Sequence, residues 1–96
     1  MFAVIFKATV SKLDNQYSAM AAELRKLAFE KYNCRDFIAV TEGEQEIAIS
    51  YWDSEADIIA WKQDALHRVA QQTGAERWYQ NYQVEVLELK RSYRAG

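Results

Sequence analysis

The first ten residues, MFAVIFKATV, constrain the fold most, because they form a segment rich in β-formers that is apolar on both sides. Side chains of a strand alternate between its two faces. Phe2, Val4 and Phe6 fall on one face of the predicted strand, while Ala3 and Ile5 fall on the other. A strand of this kind is buried on both faces, so the fold needs a packing layer on each side of it.

Two amphipathic segments predict the helices of one such layer. Apolar residues at helical spacing predict a first helix with Asp14 as its N-cap, ending at about Tyr32. The sequence Ser54-Glu-Ala-Asp57 matches a capping box. It predicts a second helix that runs to about residue 72, with Gly74 as its C′ residue.

Three further strands follow from the remaining apolar runs. Residues 36–41 and 46–52 predict a hairpin, since the turn between them contains Gly43, which can adopt positive φ. Residues 81–93 predict a long last strand. The apolar residues of this strand switch from even to odd positions between Val86 and Leu87, which predicts a β-bulge there.

The element order is therefore β-α-β-β-α-β, the ferredoxin-like α+β arrangement. It predicts a four-stranded antiparallel sheet with two helices on one face, formed by residues 1–96 as a single domain. Two helices cover only one face, so the second apolar face of the first strand needs another partner. A second copy of the chain is the simplest one, and we predict a homodimer packed sheet to sheet.

Composition argues against several classes of function. A net charge of −2 provides no basic surface for nucleic acid, and no window is apolar enough to span a membrane. The chain has one cysteine and one histidine, so we expect no internal disulfide, no metal site within the chain, and a reducing, cytoplasmic environment.

The most specific pattern lies between residues 50 and 82, where aromatic and polar side chains crowd together. It comprises SYWDSEAD at 50–57, AWK at 60–62, HRVAQ at 67–71, Gly74, and WYQNY at 78–82. With these residues the chain resembles the antibiotic biosynthesis monooxygenase (ABM) domain family. The resemblance covers nearly the whole chain and implies a dimeric α+β barrel.

The resemblance implies a cofactor-independent monooxygenase that acts with O₂ on a flat, hydroxylated aromatic substrate of the quinol or anthrone type. His67 would be the base and Trp61 a packing wall of the site. The further substrate-binding candidates are Tyr51, Trp52, Arg68, Trp78 and Tyr82. No cofactor is implied.

Two other interpretations stay open. In the first, the aromatic residues serve folding and dimerisation: Trp61 lies in the core, His67 makes a local hydrogen bond, and residues 78–82 lie in the dimer interface. The protein would then be a non-catalytic small-molecule-binding or stress-related dimeric module. Haem-degrading relatives carry an asparagine on the first strand and a haem-ligating histidine on the second helix. The corresponding positions here resemble Lys7 and Gln71, so haem degradation is the less favoured interpretation.

Overall fold

The computed structural model describes residues 1–11, 15–64, 73 and 78–96. Along the chain these residues form six elements, in the predicted order β-α-β-β-α-β. They are β1 (Phe2–Val10), α1 (Asn15–Lys31), β2 (Cys34–Glu42), β3 (Gln45–Trp52), α2 (Glu55–Gln63) and β4 (Tyr79–Glu88). The predicted α+β, ferredoxin-like fold is therefore confirmed.

The four strands form one antiparallel sheet with the order β2-β3-β1-β4. β1 lies in the interior of the sheet and pairs with β3 on one side and β4 on the other. One face of β1 lies under the helices, and its residues of the other parity lie on the opposite face of the sheet. Gly43 adopts a φ of 59° in the turn between β2 and β3, as the hairpin requires.

Both helices pack on one face of the sheet. The core there contains Val4 of β1 and Trp52 of β3 against Ala28 of α1 and Ile58 and Trp61 of α2. These side chains are nearly inaccessible to solvent, so the burial of their apolar surface holds the helices on this face.

The second helix begins as predicted but ends earlier. Ser54 is its N-cap, and the Ser54 hydroxyl accepts a hydrogen bond from the backbone N–H of Asp57 at 3.4 Å. The prediction of an uninterrupted helix to residue 72 is wrong, because Asp64 has ψ 139°, an extended value incompatible with a helical turn. The remaining predicted helix residues, the Gly74 C′ position and the Asp14 N-cap lie outside the described residues.

The predicted bulge between Val86 and Leu87 is also wrong. Both residues pair in regular register with β1, and the irregularity lies instead between Thr9 and Val10. The parity changes without a bulge because Val86 faces the helices while Leu87 faces the opposite side, and both sides are apolar. β4 also ends at Glu88, five residues before the predicted end.

The opposite face of the sheet is open within the described part of the chain. It carries the isoleucines of β1 and β3 and, on β2, Ile38 and Val40, which are 54% and 57% exposed. Lys7 and Glu85 form an ion pair of 3.2 Å on the same face. No helix among the described residues is long and apolar enough to cross a membrane.

Candidate ligand cavity

A cavity of about 190 Å³ lies on the helix-covered face of the sheet. Its floor consists of short side chains at the centre of the sheet, including Ala39 and Ala48. Larger apolar and aromatic residues of the strands and helices form the walls, among them Phe6, Leu24, Trp61, Trp78, Tyr82 and Val84. A concave, mainly apolar cavity with few polar groups is the usual form of a small-molecule site.

An aromatic cluster closes one end of this cavity. The ring of Tyr17 on α1 meets the Trp78 ring edge to face at a centroid distance of 5.1 Å and the Tyr79 ring at 6.1 Å. Phe6 lies 5.3 Å from Tyr79 and 5.9 Å from Tyr82, in a stacked arrangement with the latter. The cluster joins the start of α1 to the start of β4 through ring contacts.

A buried carboxylate lies beside this aromatic cluster. Glu46 is only 7% exposed, and its Oε1 accepts a hydrogen bond from the Tyr17 hydroxyl. Its second oxygen, Oε2, is buried without a hydrogen-bond partner among the described residues. The Nε1 of Trp78, a residue that is 2% exposed, is likewise buried without one. Both residues line the cavity.

The two tyrosines next to Glu46 keep their protons at neutral pH. Burial is the main cause that raises the pKa of Tyr17, and its hydrogen bond to Glu46 raises that pKa further. Burial also raises the pKa of Tyr79 to about 12, and the nearby charge of Glu46 acts in the same direction. Both phenols are therefore hydrogen-bond donors at this end of the cavity.

The other end of the helix-covered face is a packed tryptophan pair. The rings of Trp52 and Trp61 lie 5.2 Å apart, and the Phe37 ring meets Trp61 edge to face at 6.4 Å. Each indole N–H has a partner: Trp52 donates to the Ser50 hydroxyl at 2.9 Å, and Trp61 donates to the Leu24 carbonyl at 3.2 Å.

The structure brings three of the predicted site residues, Trp61, Trp78 and Tyr82, to the lining of one cavity. Trp52 is completely buried behind Trp61 and does not contribute to the lining. Tyr51 has the opposite strand parity and lies on the open face of the sheet. The remaining two predicted residues, His67 and Arg68, lie outside the described residues.

Sequence reasoning did not identify Tyr17 and Glu46 as site residues. The available signal was the parity of β3, since Glu46 alternates in step with Ala48, Ser50 and Trp52. This set is the more polar one on the strand, so pattern alone assigns it to solvent. The pairing of Ala48 with Phe6 and of Ser50 with Val4 places the set under the helices instead.

The Lys7 position, which matters for the haem interpretation, lies on the open face of the sheet, away from the cavity. Among the described residues, no group of three histidine, cysteine, aspartate or glutamate side chains is close enough to hold a metal ion.

The architecture and its cavity define an α+β protein with the fold of the antibiotic biosynthesis monooxygenases. The cofactor-independent oxygenase SnoaB of Streptomyces nogalater has a TM-score of 0.78 at 6% identity, over 95% of this chain and 94% of SnoaB. A Deinococcus radiodurans protein assigned to the antibiotic biosynthesis monooxygenases has a TM-score of 0.78 at 9% identity, over 100% and 99% of the two chains. A conserved Methanosarcina mazei Go1 protein has a TM-score of 0.79 at 14% identity, over 93% and 92%.

The predicted resemblance is thereby confirmed at the level of the fold, which is what likeness at these identities establishes. At the level of sequence, the chain is 32% identical to the uncharacterized protein YqjZ of Bacillus subtilis (strain 168) over 91 residues, or 94% of this chain and 80% of YqjZ. The chain therefore belongs to the same family as YqjZ. No family model matches its sequence.

Proposed function

We propose that this protein is a cofactor-independent monooxygenase of the ABM type that acts on a flat aromatic substrate bearing a hydroxyl group, such as a quinol or a hydroxyanthrone. The observation that carries the proposal is the cavity itself, which combines apolar and aromatic walls with a buried polar group at one end. Flat ring systems fit such walls, and a single polar end orients them.

The reaction would need only the substrate and O₂. A base removes a proton from the substrate, whose anion donates one electron to O₂. The resulting radical and superoxide combine, forming a carbon–oxygen bond and, after protonation, a hydroperoxide. Loss of water from the hydroperoxide leaves a carbonyl group, so one oxygen atom remains in the product and the other leaves as water. The apolar walls exclude bulk water from the anion.

Trp61 and Trp78 supply aromatic walls for the rings, and Tyr82 lies at the rim of the same cavity. Trp52 would act indirectly, since it supports Trp61 from behind at 5.2 Å. We retain His67 as a candidate base and Arg68 as a candidate substrate contact from the family resemblance.

We further propose that the protein is a homodimer that buries the open face of the sheet. Ile49 lies at the centre of this face, paired with Ile5 of β1 and Ile38 of β2. An apolar sheet face of this extent favours a second copy of itself, because a two-fold axis places the same patch on both partners. Tyr51 then lies toward the partner rather than the substrate.

Sedimentation at micromolar concentration tests the dimer. Ile49→Glu places a charge in the proposed interface, and we expect it to produce monomers. The matched control is Ile59→Glu, which makes the same change at an exposed position on α2 and is expected to leave the dimer intact. A wild-type protein that sediments as a monomer would contradict the proposal.

Oxygen consumption with a hydroxyanthrone and with a quinol tests the activity. We expect uptake to depend on the protein, and ¹⁸O₂ to label one oxygen atom of the product. Trp61→Phe and His67→Ala are expected to reduce the rate, while Ile59→Ala, at the exposed position on α2, is the control. Binding without oxygen uptake would favour the non-catalytic binding module instead.

A further inference from the structure

The buried polar atoms at the closed end of the cavity point to a specific chemical group in the ligand. Glu46 Oε2 and Trp78 Nε1 are both buried, line the same cavity and have no hydrogen-bond partner among the described residues. Folded proteins seldom leave buried polar atoms unpartnered, because such atoms lose their hydration without replacement. A ligand that supplies both missing partners would complete this end of the cavity.

The two atoms differ in what they require. A carboxylate oxygen only accepts hydrogen bonds, whereas an indole N–H only donates them. A hydroxyl group can donate to the first and accept from the second at the same time, while an ether or a ketone can only accept. The two residues share Tyr17 as a neighbour, since the Tyr17 hydroxyl donates to Glu46 Oε1 and the centroid of its ring lies 5.1 Å from that of Trp78.

The groups around Glu46 are hydrogen-bond donors or uncharged, which leaves Glu46 as the proton acceptor at this end of the cavity. From α1, the Tyr17 hydroxyl donates to Oε1, and Tyr79 of β4 lies next to this pair. Burial raises the pKa of both phenols, so they remain donors at neutral pH. The neighbours of Glu46 within the sheet are uncharged, namely Ala8 of β1 and Thr41 of β2. Among the described residues, the other charged side chain that lines the cavity is Lys62, an exposed residue of α2.

We infer that Glu46 and Trp78 form an anchor for an aromatic hydroxyl group and that Glu46, in place of the candidate His67, is the catalytic base. The inference rests on the proposed function, which it deepens by assigning the substrate's hydroxyl to this end of the cavity. Glu46 Oε2 accepts the hydroxyl proton as the substrate O–H bond breaks, and the electron pair remains on the substrate. The negative charge thus moves from the protein to the molecule that reacts with O₂.

This anchor also fixes the orientation of the substrate. With the hydroxyl group held between Glu46 and Trp78, the rings extend along the apolar wall formed by residues such as Val84 and Val86 of β4. The ligand class is therefore an aromatic compound with a free hydroxyl group, and masking that group should weaken binding. No step of this recognition requires O₂, so it can be measured separately from turnover.

A pair of probe ligands tests the anchor on the unmodified protein. Calorimetric titration with 2-naphthol and with 2-methoxynaphthalene compares two molecules of similar shape, of which only the first can donate a hydrogen bond. We expect 2-naphthol to bind at least about tenfold more tightly, since hydrogen bonds to charged groups are among the stronger ones. Equal affinities, or no binding of 2-naphthol, would overturn the inference.

Two variants test the contributions of Glu46 and Trp78 to binding of the two probes. Glu46→Gln keeps the size of the side chain and an oxygen for Tyr17, and it should remove most of the preference for 2-naphthol. Trp78→Phe removes the N–H donor and should weaken binding of both probes, because both can accept from it. Glu44→Gln, an identical change at an exposed position in the hairpin turn, is the control. A Glu46→Gln variant that retains the full preference contradicts the anchor.

Oxygen uptake separates the anchor from the proposed reaction. If wild type and Glu46→Gln oxidise a hydroxyanthrone at equal rates, the oxygenase function stands and Glu46 is not the base. If the Glu46-dependent preference for 2-naphthol is present but no hydroxylated aromatic supports oxygen uptake, the anchor stands and the oxygenase function is wrong.

Discussion

The two ends of the helix-covered sheet face both hold buried tryptophans, but their polar atoms differ in how they are satisfied. At the packed end, the N–H groups of Trp52 and Trp61 donate to Ser50 and Leu24. At the cavity end, Trp78 Nε1 and the neighbouring Glu46 Oε2 have no partner among the described residues. The packed end is complete within the chain, whereas the cavity end is suited to receive a ligand.

Side-chain size accounts for the difference between the two ends. Where Trp52 occupies β3, its ring fills the space up to Trp61 of α2. Further along β3, Ala48 lies opposite Ala39 of β2, and both line the cavity. Two methyl groups at paired positions cannot fill a space that is closed elsewhere by aromatic rings, so the cavity remains.

The largest expected effect concerns the packed end. We expect Trp52→Ala to lower the free energy of unfolding by about 3–5 kcal/mol, because it removes a fully buried indole and leaves a void against Trp61. Tyr82→Ala at the rim should cost about 1 kcal/mol, mainly its ring contact with Phe6. Urea unfolding measures the free energy of unfolding of both variants. Equal losses in Trp52→Ala and Tyr82→Ala would contradict the distinction between a packed end and a cavity end.

A smaller effect is expected at the carboxylate. Tyr17→Phe removes the donor to Glu46 Oε1 and should lower the free energy of unfolding by about 1–3 kcal/mol, since a buried acceptor loses its partner. Tyr93→Phe, at an exposed residue near the C-terminus, is the matched control and should leave stability unchanged. A Tyr17→Phe protein as stable as wild type would mean that Glu46 does not depend on this bond.

The tryptophan N–H groups permit a direct comparison of the two ends. Trp52→Phe and Trp78→Phe lose similar ring volume, but only the first loses a hydrogen bond and leaves the Ser50 hydroxyl without its donor. We expect Trp52→Phe to be about 1 kcal/mol more destabilising than Trp78→Phe in the absence of ligand. Thermal unfolding of the two variants measures this difference in stability. With a saturating hydroxylated ligand the difference should become smaller, because Trp78→Phe then also loses the hydrogen bond between Trp78 and the ligand.

The smallest expected effect on stability comes from the ionisation of Tyr79. Its pKa in the folded protein is raised to about 12, so the effect appears well above neutral pH. A tyrosine whose pKa is higher in the folded than in the unfolded state stabilises the folded protein. This contribution is fully present at any pH below the unfolded-state pKa of about 10. That contribution should disappear as the pH rises from about 10 through about 12. Unfolding midpoints across this range, with tyrosinate absorbance, should show a decline that is weaker in Tyr79→Phe. An identical decline in both proteins would exclude Tyr79 as its source.

Much of the fold was predictable because strand parity and helical periodicity are local properties of the sequence. The apolar run of residues 1–10 correctly indicated a strand, and the capping box correctly located the start of α2. The end of α2 was not predictable, because the sequence after Asp64 continues to favour a helix by composition, while the backbone of Asp64 itself is extended. Likewise, the parity change at Val86 and Leu87 reflects two apolar faces rather than a bulge.

The sequence by itself determined the element order, the single sheet and the aromatic richness of the segment that carries the family resemblance. Only the tertiary structure decided which residues meet in the cavity. Glu46 and Tyr17 are 29 positions apart in the chain, and neither has a local motif to mark it. Their contact follows from how α1 packs on the sheet. The side of β3 that carries Glu46 faces inward because its small residues accommodate the helices and the ligand cavity, while its isoleucines face the open side.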